Sequence, residues 1–232
     1  SDLWNEPNLP SFFEGSVEEY VDLILRPGAD ALRRVCGDCL VLGPDLAHVG
    51  EVDEYMRDLF SLISPTVFDI IAHHIYQDFP ETGWHIWDGD SFINALDDQR
   101  FTFTRPSLRQ LLDEAGYGGE VWITETGYRV DPQGDPREED YQAIYVVRVL
   151  EEQLIRSWYT NSFFYEIHDC GPDQPTCDID GYGLMRATSG SPGERSFPAD
   201  FRLKPAFHDL AAFIQEHPEI VGAAPPAACN DG

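Results

Sequence analysis

Trp4-Asn5-Glu6-Pro7-Asn8 and Trp122-Ile123-Thr124-Glu125-Thr126-Gly127-Tyr128 are the two stretches around which the rest of the sequence can be interpreted. In each, one glutamate follows a short apolar run typical of a strand, at the point where a loop begins. Two carboxylates at the ends of two strands can perform acid/base and nucleophilic chemistry on a glycosidic bond. The sequence between them should therefore explain how Glu6 and Glu125 meet.

The composition limits which partners are expected. The chain has 232 residues, enough for one large domain with a sizeable core. It carries 42 acidic against 15 basic residues, for a formal net charge of -27. Such a surface repels phosphate backbones, so we expect no nucleic-acid partner. It suits a protein that acts on a neutral polymer, although halophilic or cold adaptation produces the same composition. No apolar run approaches the roughly 18 residues of a membrane span, so we expect no membrane association.

Five cysteines form two local pairs and one remainder. Cys36 and Cys39 are three residues apart, Cys170 and Cys177 bracket a loop rich in Gly, Pro and Asp, and Cys229 lies near the end. Local disulfides in a secreted or extracytoplasmic protein are the favoured interpretation, with buried free thiols as the alternative. A single zinc site would need both pairs to converge as four ligands.

Apolar runs and amphipathic helical patterns alternate along the chain. The predicted strands cover residues 1–5, 39–44, 67–76, 120–125 and 160–168, and the predicted helices cover 16–35, 51–63, 106–116, 137–157 and 205–217. Strands that are apolar along their length predict a parallel sheet covered by helices, an α/β fold. The long loops, 78–104 and 170–202, follow strands, as in a (β/α)8 TIM barrel. A doubly wound sheet is less favoured, because no Gly-rich phosphate loop follows a strand.

The strand count falls short of a complete barrel. About five β/α units are predicted, whereas a closed barrel of this type has eight. Five strands would leave two open edges, which proteins avoid. We therefore expect residues 1–220 to form part of a catalytic barrel, and residues 221–232 to form a tail or linker. The missing strands are expected in a longer chain, of which this is the C-terminal part, or in a second chain.

Four residues at predicted strand ends are candidates for chemistry or substrate binding. Glu6 has beside it Asn5, an amide that can hydrogen-bond a sugar hydroxyl. Glu125 is predicted to share a strand face with Val121 and Ile123, because side chains alternate with period two. His74 and Tyr76 are predicted to share the face of another strand, where a tyrosine hydroxyl can keep a nucleophilic carboxylate ionised.

These residues resemble the clan A glycoside hydrolases, which are retaining (β/α)8 enzymes. In that clan an Asn-Glu pair ends the fourth strand, a His-x-Tyr the sixth, and a glutamate the seventh. Asn5-Glu6, His74-Tyr76 and Glu125 match those positions. The sequences of the two glutamate motifs are most similar to those of family 39 and its family 5-like relatives. The resemblance implies that the chain carries strands four to eight. It also implies that Tyr165, in the stretch similar to the eighth strand, lies at the sugar subsite, where relatives usually have a tryptophan.

The resemblance implies a double displacement on a carbohydrate substrate. Glu125 would attack the anomeric carbon, and Glu6 would protonate the leaving oxygen and then activate water. No metal or organic cofactor is required. Trp84 and Trp87, in the loop after the sixth strand, would stack on sugar rings or, alternatively, pack on the barrel rim. The expected function is thus a retaining β-glycoside hydrolase of a poly- or oligosaccharide; the alternative is a catalytically silent carbohydrate-binding or assembly half-barrel.

Overall fold

A computed structural model describes residues 2–76, 90–97, 106–130, 137–170, 181–189 and 195–221. The chain divides into two units. The first comprises Ser1–Thr126 and Arg156–Phe164, and the second comprises Gly127–Ile155 and Tyr165–Gly232. In the described part of the first unit the helices and strands are α1 (Val17–Tyr20), α2 (Arg26–Val35), β1 (Leu42–Ala47), α3 (Val52–Leu62), β2 (Ile70–His74), α4 (Asp90–Leu96), α5 (Leu108–Glu114), β3 (Val121–Thr126) and β4 (Tyr159–Phe164).

The strands of the first unit form one parallel sheet in the order β1-β2-β3-β4. All residues of β1 and β2 are buried, as expected for strands covered on both faces. The predicted α/β fold with a parallel sheet is therefore confirmed. The strand predicted over residues 1–5 is wrong in extent: Asp2 makes a single parallel bridge to Leu42. A φ of +44° at Glu6 begins a turn there and takes the chain out of the strand direction.

The helical pattern over residues 16–35 is confirmed, with an interruption. Ser16 and Glu19 form the predicted capping box, in which each side chain accepts the other's backbone N–H. A π-helical turn over Val21–Leu25 joins α1 to α2. Pro27 lies in the first turn of α2, where its missing N–H is tolerated. The helix therefore continues through Pro27, with a wider, π-helical turn directly before α2.

The disulfide prediction is confirmed for the first cysteine pair. Cys36 and Cys39 are joined just after α2. Cys170 is also disulfide-bonded, but Cys177 and Cys229 lie outside the described residues. The Cys170–Cys177 pairing therefore stays a prediction.

The loop predicted over residues 78–104 contains a helix in its described part. This helix, α4, buries Phe92 completely, and the Phe92 ring lies 6.2 Å from the Tyr159 ring. With only seven residues, α4 is too short to give a clear hydrophobic period, which is why the sequence pattern does not reveal it. No helix in the described ranges is long and apolar enough to cross a membrane.

The second unit contains α6 (Glu138–Ile155), β5 (His168–Asp169), β6 (Met185–Ala187), β7 (Phe201–Leu203) and α7 (Pro205–Glu216). The three strands form a small sheet, with β5 and β6 parallel and β6 and β7 antiparallel. The prediction that residues 170–202 lack regular structure is wrong for their described part, which contains β6 and the start of β7. Strands of two or three residues are too short for an alternating pattern.

A buried ion pair lies in the second unit. Lys204, the one lysine of the sequence, and Asp169 are both 0% exposed, and Lys204 Nζ lies 2.5 Å from Asp169 Oδ2. Asp169 Oδ1 accepts the backbone N–H groups of Gly181 and Gly183, and Lys204 Nζ donates to the Gly181 carbonyl. Asp169 belongs to β5 and Lys204 directly follows β7, so the pair joins the two outer strands of the small sheet.

Replacing Lys204 by methionine should destabilise the protein by about 3–5 kcal/mol, because Asp169 would keep a buried charge without its main partner. The free energy of unfolding from urea denaturation measures this loss. The matched control is Arg202→Met, which removes the half-exposed cation that pairs with Glu139 on the surface. The control should cost no more than about 1 kcal/mol. Equal losses for the two variants would contradict the role assigned to the buried pair.

Candidate active site

The loop after the first motif is fixed to the end of β1. The Asn8 side chain donates to the Ala47 carbonyl at 2.9 Å and accepts the Ala47 N–H at 3.0 Å. The backbone N–H of Glu6 donates to the Asp45 carbonyl at 3.0 Å. These bonds hold Glu6, which is 9% exposed, beside the next strand. The sequence reasoning missed Asn8, although an Asn directly after a Glu-Pro pair is a residue type whose side chain often hydrogen-bonds the backbone in a turn.

Two β-bulges bring further polar side chains to the same face of the sheet. In the β2–β3 register Ala72 pairs with Trp122 and His73 with Ile123, but His74 pairs with Glu125. Thr124 is therefore the extra residue, and the strand shifts by one position beyond it. In the β1–β2 register Asp45 is the extra residue, and its φ is +52°.

Because of the bulge in β3, Glu125 lies on a different face of the sheet from the one predicted. Trp122 packs against Leu42, Ile70 and Ala72, on the face that also carries His74. Val121 and Ile123 pair with residues of the opposite face, so the prediction that Glu125 shares their face is wrong. In a regular strand Glu125 would follow Ile123 to the far side of the sheet. The one-residue bulge instead places it beside Thr124 on the face of His74.

Glu6, His74, Tyr76 and Glu125 lie together at this end of the sheet. His74 Nδ1 is 2.9 Å from Glu6 Oε1 and 3.6 Å from Glu125 Oε2. The Tyr76 hydroxyl donates to Glu125 Oε2 at 2.8 Å. One oxygen from each glutamate and the His74 nitrogen all lie within 4.8 Å of one another. The four residues that the sequence singled out at three strand ends therefore form one cluster.

His74 carries a positive charge in this cluster. The ring is 2% exposed, and its Nε2 lies 3.5 Å from Asp45 Oδ1. Burial opposes the charge, but the hydrogen bonds to Asp45 and Glu6 and the charge of Glu125 outweigh it and raise the pKa of His74 to about 9. The imidazolium offers one N–H to the Glu6 side and the other to the Asp45 side.

The adjacent residue, His73, has the opposite character. It pairs with Ile123 on the other face of the sheet and is fully buried. Its Nε2 lies 3.0 Å from Nδ1 of His48. Burial and the neighbouring histidines hold the pKa of His73 well below its ordinary value. Of the two neighbouring histidines, only His74 faces the carboxylates as a cation.

A cavity of about 280 Å³ opens beside His74 and Glu125 of the cluster. Its lining includes Asn5, Trp4, His74 and Glu125. Trp4 is 42% exposed, and its indole N–H donates to the Phe12 carbonyl, which fixes the orientation of the ring. The cavity thus combines an amide, an aromatic surface and ionisable groups, the combination typical of a small-molecule or sugar site.

Glu6, His74 and Glu125 are also a geometric candidate for a metal site, since their ligand atoms converge. A metal would need the neutral form of the imidazole as its ligand. The raised pKa of His74 favours the protonated form, and the hydrogen bonds from His74 and Tyr76 already occupy the carboxylates. The arrangement therefore suits proton transfer and nucleophilic attack better than metal binding.

The structure does not test three further residues proposed for substrate binding. Tyr165 belongs to the second unit, where its ring lies 5.8 Å from that of Tyr182. Trp84 and Trp87 lie outside the described residues. Their proposed roles in sugar binding stay predictions.

Comparison with known proteins gives matches at the level of structure. No protein-family model matches the chain, and no curated protein matches it. A monomeric β-xylosidase from Caulobacter crescentus CB15 aligns over 89% of this chain and 39% of its own, with 19% sequence identity and a TM-score of 0.56. An endo-β-1,3-glucanase of glycoside hydrolase family 128, subgroup II, from Sorangium cellulosum aligns over 97% of this chain and 69% of its own, with 17% identity and a TM-score of 0.54.

A family 39 enzyme from Xanthomonas axonopodis pv. citri also aligns, over 89% of this chain and 38% of its own, with 18% identity and a TM-score of 0.53. This chain thus spans about two fifths of the length of the xylosidase and of the family 39 enzyme. At such identities the likeness establishes the fold. The chain has a glycoside hydrolase-like α/β fold with a parallel sheet of four strands in its described part.

The charge on His74 predicts a pH-dependent stability. The pKa of His74 rises from about 6.5 in the unfolded chain to about 9 in the folded one, so its contribution is complete below pH 6.5 and is lost as the pH rises through 9. The loss should approach about 3 kcal/mol. It is measured as the difference in free energy of unfolding between the wild type and His74→Gln, from pH 6 to pH 10. A difference that does not change with pH would exclude a charged His74.

Proposed function

We propose that this protein is a retaining β-glycoside hydrolase that acts on a polysaccharide or oligosaccharide by double displacement. The observation that carries the proposal is the approach of Glu6 and Glu125, which have one oxygen each within 4.8 Å of the other, next to a cavity that Asn5 and Glu125 line. Retaining glycosidases keep their two carboxyl groups about 5–5.5 Å apart, whereas inverting enzymes leave room for a water between them. The short separation therefore supports retention.

In the proposed reaction Glu125 is the nucleophile. Tyr76 donates a hydrogen bond to Glu125 Oε2, and the His74 imidazolium lies 3.6 Å from the same oxygen. Both contacts hold in place the carboxylate that must attack the anomeric carbon. The product of the first step is a glycosyl-enzyme in which the sugar is bonded to Glu125.

Glu6 is the proposed acid/base. It would give a proton to the leaving oxygen in the first step and take one from water in the second, so its proton is regenerated in each cycle. His74 holds the Glu6 carboxyl by a bond of 2.9 Å, which fixes its position relative to the scissile bond. Asn5 lines the cavity, where its amide can bond a sugar hydroxyl.

The proposed substrate is a β-linked neutral saccharide. The net charge of -27 does not favour an acidic polymer, and two of the structurally similar enzymes are a β-xylosidase and an endo-β-1,3-glucanase. We also propose that the protein acts outside the cytoplasm, which the Cys36–Cys39 disulfide supports.

We further propose that the four-stranded sheet is part of a (β/α)8 barrel, in which Asp2 marks the fourth strand and β1 to β4 are the fifth to eighth. The parallel order of β1 to β4 and the Asp2–Leu42 bridge beside β1 support this assignment. Strands one to three would then come from polypeptide outside this sequence or from a second chain. Activity should accordingly be measured on the full-length protein.

Replacing Glu125 by alanine in the full-length protein should abolish turnover of aryl β-glycosides, since no nucleophile remains to form the glycosyl-enzyme. Added azide should restore turnover by a single displacement from the vacated position of the nucleophile, and should therefore give the α-glycosyl azide, identified by NMR. The control Glu114→Ala removes a half-exposed glutamate that pairs with Arg57 and should leave turnover unchanged. Unchanged activity in Glu125→Ala, or a product of inverted configuration from the wild type, would overturn the assignment.

Replacing Glu6 by alanine should separate substrates by their leaving groups. Substrates with poor leaving groups, such as alkyl glycosides, should lose about 10²–10⁴-fold in kcat/KM, because they need general acid catalysis. Dinitrophenyl glycosides, whose leaving group needs no proton, should lose far less in the glycosylation step. Steady-state kinetics measures kcat/KM of the variant and the wild type on both kinds of substrate. An equal loss on both would argue against Glu6 as the acid.

A further inference from the structure

Asp45 is a buried carboxylate that the proposed reaction does not use directly. It is 3% exposed and occupies the bulge of β1 with a φ of +52°. Its backbone carbonyl accepts the N–H of Glu6, so the bulge that turns Asp45 inward also holds the proposed acid/base. A residue in this left-handed conformation is usually Gly, Asn or Asp. Its backbone role and its side-chain charge can therefore be separated by an Asp→Asn substitution.

The Asp45 side chain is held by the second bulge. Thr124, the extra residue of β3, donates its hydroxyl to Asp45 Oδ1 at 2.6 Å. The two bulge residues thus bond to each other across β2, the strand that ends in His74. Both bulges keep the Asp45 carboxylate at one position, where Oδ1 lies 3.5 Å from His74 Nε2.

The other oxygen of Asp45 is buried and has no hydrogen-bond donor among the described residues. The charge of Asp45 nevertheless changes the pKa values of neighbouring groups. Burial and the negative charge of Asp45 together raise the pKa of Asp2 to about 6. On the other side, Asp45 is one of the groups that stabilise the cationic form of His74.

We propose that Asp45 is a positioning residue that acts through His74: it keeps the imidazole doubly protonated, so that Nδ1–H always faces the Glu6 carboxyl. The proposal rests on the function proposed above. With an acceptor oxygen of a carboxyl group at each ring nitrogen, only the imidazolium can donate to both, since a neutral ring would present one lone pair to an oxygen. Without Asp45, the ring could lose the Nε2 proton or, as the other tautomer, the Nδ1 proton that holds Glu6.

Several ionisable groups act on His74 and must be considered together. They come from the N-terminal segment, from β1, from the end of β2 and from β3, and they are Asp2, Glu6, Asp45, His73, Tyr76 and Glu125. Glu6 and Glu125 share Nδ1, and only Asp45 lies at Nε2 in the described structure. Removing the charge of Asp45 therefore changes the one contact that does not involve a proposed catalytic carboxylate.

The test is Asp45→Asn in the full-length protein. Three quantities are measured: the titration of His74 by NMR of the labelled imidazole, the pH profile of kcat/KM, and kcat with a poor leaving group. The midpoint for His74 should fall from about 9 by about one pH unit or more, and the alkaline limb of the profile should move with it. We expect kcat to fall about 10–100-fold, as for other residues that orient a functional group, and KM to change less than kcat because the substitution keeps the shape of the cavity, which Asp45 also lines.

The matched control is Asp69→Asn, the same change of an acid in the loop before β2. Asp69 accepts the Val41 N–H and is 39% exposed in its side chain. This variant should keep the His74 titration and the pH profile of the wild type. Asp45→Glu, which keeps the charge, should recover part of the titration shift.

The outcomes separate this inference from the proposed function. If the wild type hydrolyses glycosides with retention but Asp45→Asn leaves both the His74 titration and the pH profile unchanged, the inference fails and the function stands. If the wild type hydrolyses no glycoside, the function fails, while the NMR titration still decides whether Asp45 charges His74. If Asp45→Asn does not fold, a comparison of Thr124→Val with Thr124→Ser replaces it, because only the serine variant keeps the hydroxyl that bonds Asp45. Loss of kcat in the valine variant alone supports the inference, and equal kcat in both variants overturns it.

Discussion

The buried imidazolium of His74 is the interaction on which the candidate site depends. Three carboxylates, from Glu6, Asp45 and Glu125, approach this one ring within 3.6 Å. Without a cation between them, carboxylates at such distances would repel one another in a poorly solvated site. The positive charge of His74 offsets the electrostatic repulsion between Glu6 and Glu125. The hydroxyl of Tyr76 donates a further hydrogen bond to Glu125.

The geometry that creates this cluster comes from irregular strands. A regular parallel sheet would present every second residue of β1 and β3 to the cavity, and Glu125 would then lie on the far face. The bulges at Asp45 and Thr124 each insert one residue, and the two inserted residues bond to each other. Bulges are common beside active sites because they re-aim side chains. Here they explain how Asp45 of β1 and Glu125 of β3 come to point at the ring of His74 on β2.

Much of the candidate site could be predicted from the sequence, because Glu6, His74, Tyr76 and Glu125 each stand where an apolar run meets a loop. The α/β class and the longer helices were predictable for the same reason, since their patterns extend over many residues. The wrong face of Glu125 has a definite cause: the period-two rule assumes a regular strand, and nothing local in Thr124 marks a bulge. Asp45 and Asn8 were missed because their partners are distant in the sequence, and a single chain does not reveal such pairings.

The acidic excess of the chain also bears on how its buried cations are used. With 42 acidic and 15 basic residues, most carboxylates must remain in water, where the solvent screens them. Carboxylates that are buried instead need a cation or several hydrogen-bond donors. In the described structure His74 is the cation beside Glu6 and Asp45 in the first unit, and Lys204 is the cation beside Asp169 in the second. Lys204 stabilises a fully enclosed carboxylate, whereas His74 stabilises carboxylates beside a cavity. Because the pKa of His74 is raised to about 9, its ring stays protonated near neutral pH and can direct one N–H to Glu6 and the other to Asp45, on opposite sides, whereas a lysine carries all its donors on one nitrogen.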